Sequence, residues 1–199
     1  GPPADATDSL TTSNYSTYAI SGEIAESSDV EGIYTFTAPE LPGLQLVNPP
    51  IHSWEGQIIY LDFDGQKNVT YNGPVTVGPF DVPAFSLDGT APAGQEGAVI
   101  TEILSQLQRT FAGSGIIFTT ERPEQAEQYS TIWIGGDDSF FSAYGAFRGL
   151  AESVDVGNAV LTDDGLVFSD QFLHAFTGHG DLIAQLSQTI AHEAGHLLG

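Results

Sequence analysis

The chain has 199 residues, 41% of them hydrophobic and 11% aromatic, which suffices for one domain with a full core and is too short for two large ones. Its 26 Asp and Glu against 4 Lys and Arg give a formal net charge of −22, a balance that repels nucleic acid and anionic lipid. There is no cysteine, so disulfides, thiol nucleophiles and Cys-ligated zinc are excluded, and no apolar run reaches the roughly 18 residues of a membrane helix. The acidity fits either a solvated shell, as on proteins adapted to salt, or carboxylate loops that take calcium. Enrichment in Ser, Thr and Gly with a single lysine, Lys67, predicts a secreted, extracellular protein, and a monomer is expected.

In chain order, Gly1-Pro2 reads as a remnant of protease cleavage, followed by a loose polar segment. Short β segments are predicted at Tyr18–Ile20 and Gly32–Phe36, before a linker punctuated by Pro39, Pro42, Pro49 and Pro50. Residues 1–50 are therefore read as a flexible, β-rich piece of a propeptide or neighbouring module, and residues 51–199 as the main domain. Gln57–Gly65 predicts a strand closed by Gly65, followed by a Gly/Pro-rich excursion to Gly94. Residues 96–112 predict an amphipathic helix with Val99, Ile100, Ile103, Leu104, Leu107 and Phe111 on one stripe, ended by Gly113 and Gly115. Ile116–Thr120 and Thr131–Ile134 follow as buried strands, Gly149–Glu152 as a further strand, then Asn158–Leu161 and Leu166–Phe168. Asp181 is the expected N-cap of a last helix over Leu182–Leu198. The fold class predicted is α+β: a twisted, mixed but mostly parallel sheet of about five strands with two long helices on one side.

The last helix carries the chemistry. His192 and His196, four residues apart, project from one face about one turn apart, the reach needed to hold a single zinc ion through two imidazoles. Glu193 lies between them, placed to take a proton from activated water and pass it to a leaving amine. At about 100° per residue, Ile183, Leu186, Ile190, Ala194 and Leu197 gather on the other side, toward a sheet. The blander alternative is a structural helix with two surface histidines.

The run His192-Glu193-Ala194-Gly195-His196-Leu197-Leu198-Gly199 resembles the opening of the metzincin signature H-E-x-x-H-x-x-G-x-x-H. The likeness spans roughly residues 55–199 at the level of element order and is motif-grade only in these final residues. It implies a zincin-like upper subdomain with the lower subdomain missing, His192 and His196 as zinc ligands, Glu193 as the catalytic general base, and Gly199 as the glycine of a sharp turn. Among metzincins the matrixins are the most similar: Gly149-Leu150-Ala151 resembles the edge strand that pairs with substrate, so Leu150 and Ala151 would offer backbone hydrogen bonds to an extended peptide. An ordinary edge strand is the alternative there. Asn158–Asp170 resembles the strand and acidic loop that follow. Residues 136–165 contain no histidine, so the matrixins' second, structural zinc is predicted to be absent; the chain also has no methionine for a turn beneath the metal. The third zinc ligand would fall after Gly199, and the chain as it stands is expected to be inactive.

His52, His174 and His179 are read as surface or capping histidines rather than a third ligand. Asp137 with Asp138, and Asp163 and Asp164 with Asp170, are loop carboxylates that could take calcium, without EF-hand spacing. Asp62 and Asp64 share one strand face and are expected to be solvated. The function predicted is that of a zinc-dependent endopeptidase acting on extracellular protein or peptide substrates, with Zn2+ and in second place Ca2+ as cofactors. The alternatives are a non-catalytic, calcium-dependent binding or adhesion module, and a zincin whose third ligand is Asp or Glu.

Overall fold

The computed structural model describes residues 54–90, 93–124, 128–173 and 179–199; the β segments expected before Trp54 lie outside them. Strand β1 (Ile58–Asp62) alternates its faces, sending Ile59 and Leu61 to one side and Tyr60 and Asp62 to the other. It lies parallel to β4 (Ile117–Thr119) on one edge and to β5 (Tyr129–Ile134) on the other. β5 is parallel to β7 (Asp164–Val167), and β6 (Gly149–Ala151) runs antiparallel along β7, giving the order β4-β1-β5-β7-β6. The domain is thus α+β, with one five-stranded mixed sheet.

Two long helices share one core with a single face of that sheet. Helix α1 (Glu96–Thr110) buries Val99, Ile103 and Leu107, at the spacing of an amphipathic stripe. The four-residue α2 (Asp170–Leu173) precedes α3 (His179–Leu198), which buries Ile183, Leu186, Ile190, Ala194 and Leu197. These residues pack with Ile59, Leu61, Ile132, Ile134 and Val167. α3 begins two residues before Asp181, so this carboxylate sits inside the first turn, favourably placed for the helix dipole, rather than at the cap.

The opposite face is covered by an element the sequence hides. Residues read as a Gly/Pro-rich excursion form a hairpin, β2 (Gln66–Asn72) and β3 (Thr76–Val82). Val69, Tyr71, Phe80 and Val82 pack there with Phe141, Leu166 and Phe168 in a second core. Phe141 belongs to a 3-10 turn, Ser139–Phe141. Register shifts between Gln66 and Val69 and between Val69 and Tyr71 break the period-two pattern, and Gly73-Pro74 and Gly78-Pro79 imitate loop punctuation.

Two further expectations are corrected. β4 is an edge strand buried on one face only: Phe118 packs into the core with the helices, and Ile117, on the opposite face, is 50% exposed. Asn158–Leu161 is not a strand: Asn158 adopts φ 52° in a turn, and Val160 donates its N–H to the Asp155 carboxylate.

The C-terminal turn of α3 is pinned by groups that satisfy its free carbonyls. Asp155 N–H donates to His196 O (2.8 Å), and the Trp54 indole donates to Leu198 O (2.9 Å). Gly199 adopts φ +97°, and a side chain there would run into the backbone of Asp155, Val156 and Gly157. Position 199 therefore accepts only glycine, on both conformational and steric grounds.

Candidate functional site

Helix periodicity and the two-sided burial of α3 bring its last two turns to the outer strand β6. His192 is exposed and His196 half-buried, with ring centroids 4.6 Å apart and planes at 88°. Their Nε2 atoms lie 3.0 Å apart. Two nitrogens each about 2.1 Å from one tetrahedral zinc are separated by about 3.4 Å, so the pair needs little adjustment to share an ion. A single N–H···N hydrogen bond between two neutral rings fits the same spacing. Burial, and then the neighbouring His192, hold His196 below the ordinary imidazole range, which keeps it in the neutral form a metal ligand requires.

Glu193 turns the other way. It is 5% exposed, and its carboxylate accepts a hydrogen bond from Ala151 N–H. Burial pushes its pKa up to about 7, with the Ala151 contact opposing the rise. The carboxylate reaches the strand because Gly149 has no side chain: a Cβ there would sit 2.5 Å from Oε1 and 2.8 Å from Cδ.

The ladder of β6 decides which backbone groups remain open. Phe168 N–H donates to Arg148 O, and Glu152 N–H donates to Asp164 O, so residues 148, 150 and 152 direct their polar groups to β7. Gly149 and Ala151 therefore present theirs to the free edge. Of the two residues expected to pair with a peptide, Ala151 faces that edge and Leu150 faces β7. Ala151 is engaged on both sides, through its N–H to Glu193 and through its carbonyl, which accepts from Tyr71 Oη (2.9 Å). Next to it Asn72 N–H donates to Glu152 Oε1 (2.7 Å), so the β2–β3 hairpin is tied to β6 at two points. Burial, followed by the carboxylates of Glu152 and Glu193, raises the Tyr71 pKa. Tyr71 lies in the stretch read as a loop, and nothing in its sequence context marked it for the site.

The loop carboxylates separate into two places. Asp163 is buried, accepting from Ser130 Oγ (2.8 Å) and Ser153 Oγ (3.4 Å), and Asp164 accepts from Thr131 N–H (2.9 Å) at the start of β7. Burial is the main cause that raises them, to about 6 and about 7. Asp170 lies beyond the other end of β7, where it shares a cavity with Asp137. Asp137 accepts from Ser139 N–H, and Asp138 from Phe147 N–H and the Gln171 amide. Asp62 is not solvated: it is 2% exposed, accepts from Asp64 N–H, and lies 3.6 Å from the Arg122 guanidinium, whereas Asp64 is exposed.

His52 and His174 lie outside the described residues. His179 opens α3, about 20 Å along the helix axis from His192, so the two occupy opposite ends of the element. Among the described residues no three His, Cys, Asp or Glu gather in an arrangement that could hold a metal ion. No helix among them is long and apolar enough to cross a membrane. No family model, curated protein or solved structure matches the chain.

Proposed function

We propose that the chain is the motif-bearing part of a zinc-dependent endopeptidase of metzincin type, acting on extracellular protein or peptide substrates. The observation that carries this reading is the convergence of two imidazole Nε2 atoms, 3.0 Å apart, on a helix whose intervening glutamate is buried against the sheet's antiparallel edge strand. The donor set fits zinc in kind, since imidazole suits that ion, and supplies two of the three protein ligands usual for catalysis. A zinc ion held there would supply Lewis-acid activation of water and of a scissile carbonyl. The resemblance would place the third ligand, a histidine, three residues beyond Gly199.

The chain's own residues divide the remaining work. By the resemblance, Glu193, with a carboxyl poised near neutrality, would take a proton from the attacking water and return it to the departing amine, after turning from β6 toward the imidazoles. Ala151 N–H and the absent side chain of Gly149 hold that carboxylate in place. The edge of β6, at Gly149 and Ala151, is where an extended peptide would add as a further strand, once Tyr71 yields the Ala151 carbonyl and Glu193 yields the Ala151 N–H.

The test is zinc stoichiometry after dialysis against limiting zinc, for the chain and for His192→Ala. About one zinc per chain, lost in the variant, is the expected outcome. Equal zinc in both, or none in either, would sink the assignment of this site. Calcium taken up with no zinc would instead favour the non-catalytic binding module.

A further inference from the structure

The turn of the β2–β3 hairpin holds the chain's one Asn-Gly step, Asn72-Gly73. Gly73, Pro74 and Val75 form a bend between the paired residues Asn72 and Thr76, and no hydrogen bond to Gly73 N–H is found among the described residues. Asn72 is exposed, and its side-chain amide makes one long hydrogen bond, Nδ2 to Thr70 O at 3.3 Å. A Cβ at position 73 would run into the Tyr71 ring, so the packing of the hairpin itself calls for glycine there. An exposed carboxamide thus stands next to a backbone nitrogen with no side chain to shield it and no partner found to hold it. The other asparagines lack this combination. Asn68 precedes the buried, β-branched Val69, and Asn158 is itself buried and precedes Ala159. Asn14 precedes Tyr15, and Asn48 precedes Pro49, whose nitrogen carries no hydrogen.

We infer that Asn72 is a site of self-modification, at which the Gly73 nitrogen attacks the Asn72 side-chain amide and water completes the conversion to aspartate and isoaspartate. In the first step Gly73 N–H gives up its proton and the nitrogen bonds to Asn72 Cγ. The Cγ–Nδ2 bond breaks, and Nδ2 leaves as ammonia carrying that proton. Water then opens the resulting cyclic imide at one of its two carbonyls and restores Gly73 N–H. Opening at Cγ leaves aspartate; opening at the main-chain carbonyl leaves isoaspartate, with the chain running through Cβ and Cγ. One water is taken up and one ammonia released, and no oxidant, metal or peptide substrate takes part.

The position makes the change consequential. Asn72 N–H donates to Glu152 Oε1 (2.7 Å), one of the two ties between the hairpin and β6. A carboxylate at position 72 adds negative charge beside Glu152 and faces Thr70 O with an acceptor where a donor stood. Isoaspartate also adds a main-chain atom within the register that pairs Asn72 with Thr76. Both products loosen the turn end of the hairpin and its hold on β6.

The experiment ages the full chain in mildly alkaline and mildly acidic buffer, beside a guanidinium-unfolded sample, and maps the digests by mass spectrometry. The mass change of an amide becoming an acid is expected in the peptide carrying Asn72, faster in alkali, where the attacking nitrogen sheds its proton more readily. The folded chain should react within about tenfold of the unfolded one. Asn72→Gln should abolish the change, since the longer side chain closes its ring more slowly. Hydrogen exchange of the aged chain should quicken at β2 and β3 amides and stay unchanged in β1, β5 and β7, and Asn72→Asp should reproduce that pattern. No change at Asn72, folded-state protection beyond about tenfold, equal rates at Asn68 or Asn158, or unaltered hairpin exchange in the modified chain would each overturn the inference.

Discussion

Gly149 and Glu193 are in contact across the interface between β6 and α3, so closely that a Cβ at position 149 would lie 2.5 Å from the carboxylate oxygen. The neighbour is a half-trapped side chain rather than open space, because Glu193 is 5% exposed and held by Ala151 N–H. Gly149→Ala should therefore cost about 1–3 kcal/mol, the usual range for overpacking, measured by urea unfolding. In a Glu193→Ala background the clash is gone, and the same substitution should cost under about 0.5 kcal/mol. Additive costs in the double-mutant cycle would show that the two residues do not constrain one another.

Protonation of two buried carboxyls should favour the fold as pH falls. Burial raises Asp163 to about 6 and Asp164 to about 7, above the ordinary carboxyl value of 3.8. Below about pH 4 folded and unfolded chains both carry these protons; between about 4 and 7 only the folded chain retains them. Stability from these two groups is thus highest on the acid side, falls as pH rises through that window, and levels off above it. Asp164→Asn keeps an oxygen for Thr131 N–H and removes the charge. It should raise stability at pH 8 by about 1–3 kcal/mol and flatten the decline, with little effect at pH 4. A decline as steep in the variant would remove Asp164 as its cause.

Phe141 is the centre of the second core. It is 2% exposed and meets Tyr71, Phe80 and Phe168 with ring centroids 5.3, 5.8 and 5.6 Å away. Phe141→Ala should lower unfolding stability by about 3–5 kcal/mol. Phe140→Ala, next to it on the exposed side, should cost under about 1 kcal/mol. Comparable losses at the two positions would contradict the burial that distinguishes them.

What the sequence disclosed follows from where one physical signal dominates. The stripes Val99-Ile103-Leu107 and Ile183-Leu186-Ile190-Ala194 repeat at helical period without interruption, so both long helices were legible, as was the facing of His192 and His196. The five strands of the sheet each overlap a segment read as a strand, most plainly the buried apolar runs Ile59-Leu61 and Ile132-Ile134, but Asn158–Leu161, read as one more, is a turn. The β2–β3 hairpin was not, because its alternation is confined to Val69-Tyr71 and Phe80-Val82, its pairing register shifts between Gln66 and Tyr71, and its prolines read as breakers. The fate of the carboxylates was hidden for a different reason. Asp62 and Asp163 are buried by partners far away in sequence, Arg122 and Ser130, which no local pattern reports. The same holds for Tyr71 and Glu193, which meet at β6 only through tertiary packing.

Tyr71 fixes the hairpin to the edge of β6 by one hydroxyl, donated to Ala151 O at 2.9 Å, with Asn72 N–H to Glu152 as the second tie. Tyr71→Phe keeps the ring packed on Phe141 and removes only the donor, so the cost should be about 0.5–1.5 kcal/mol. The loss should be local. Native-state hydrogen exchange should accelerate at β2 and β3 amides, while amides of β1, β5 and β7 keep their protection. The freed Ala151 carbonyl should also make the β6 edge more receptive to an added strand, read as tighter binding of an extended peptide in fluorescence titration. Uniform acceleration across all strands would mean that Tyr71 supports the whole domain, and unchanged hairpin exchange would mean that Asn72 and the aromatic core hold the hairpin without it.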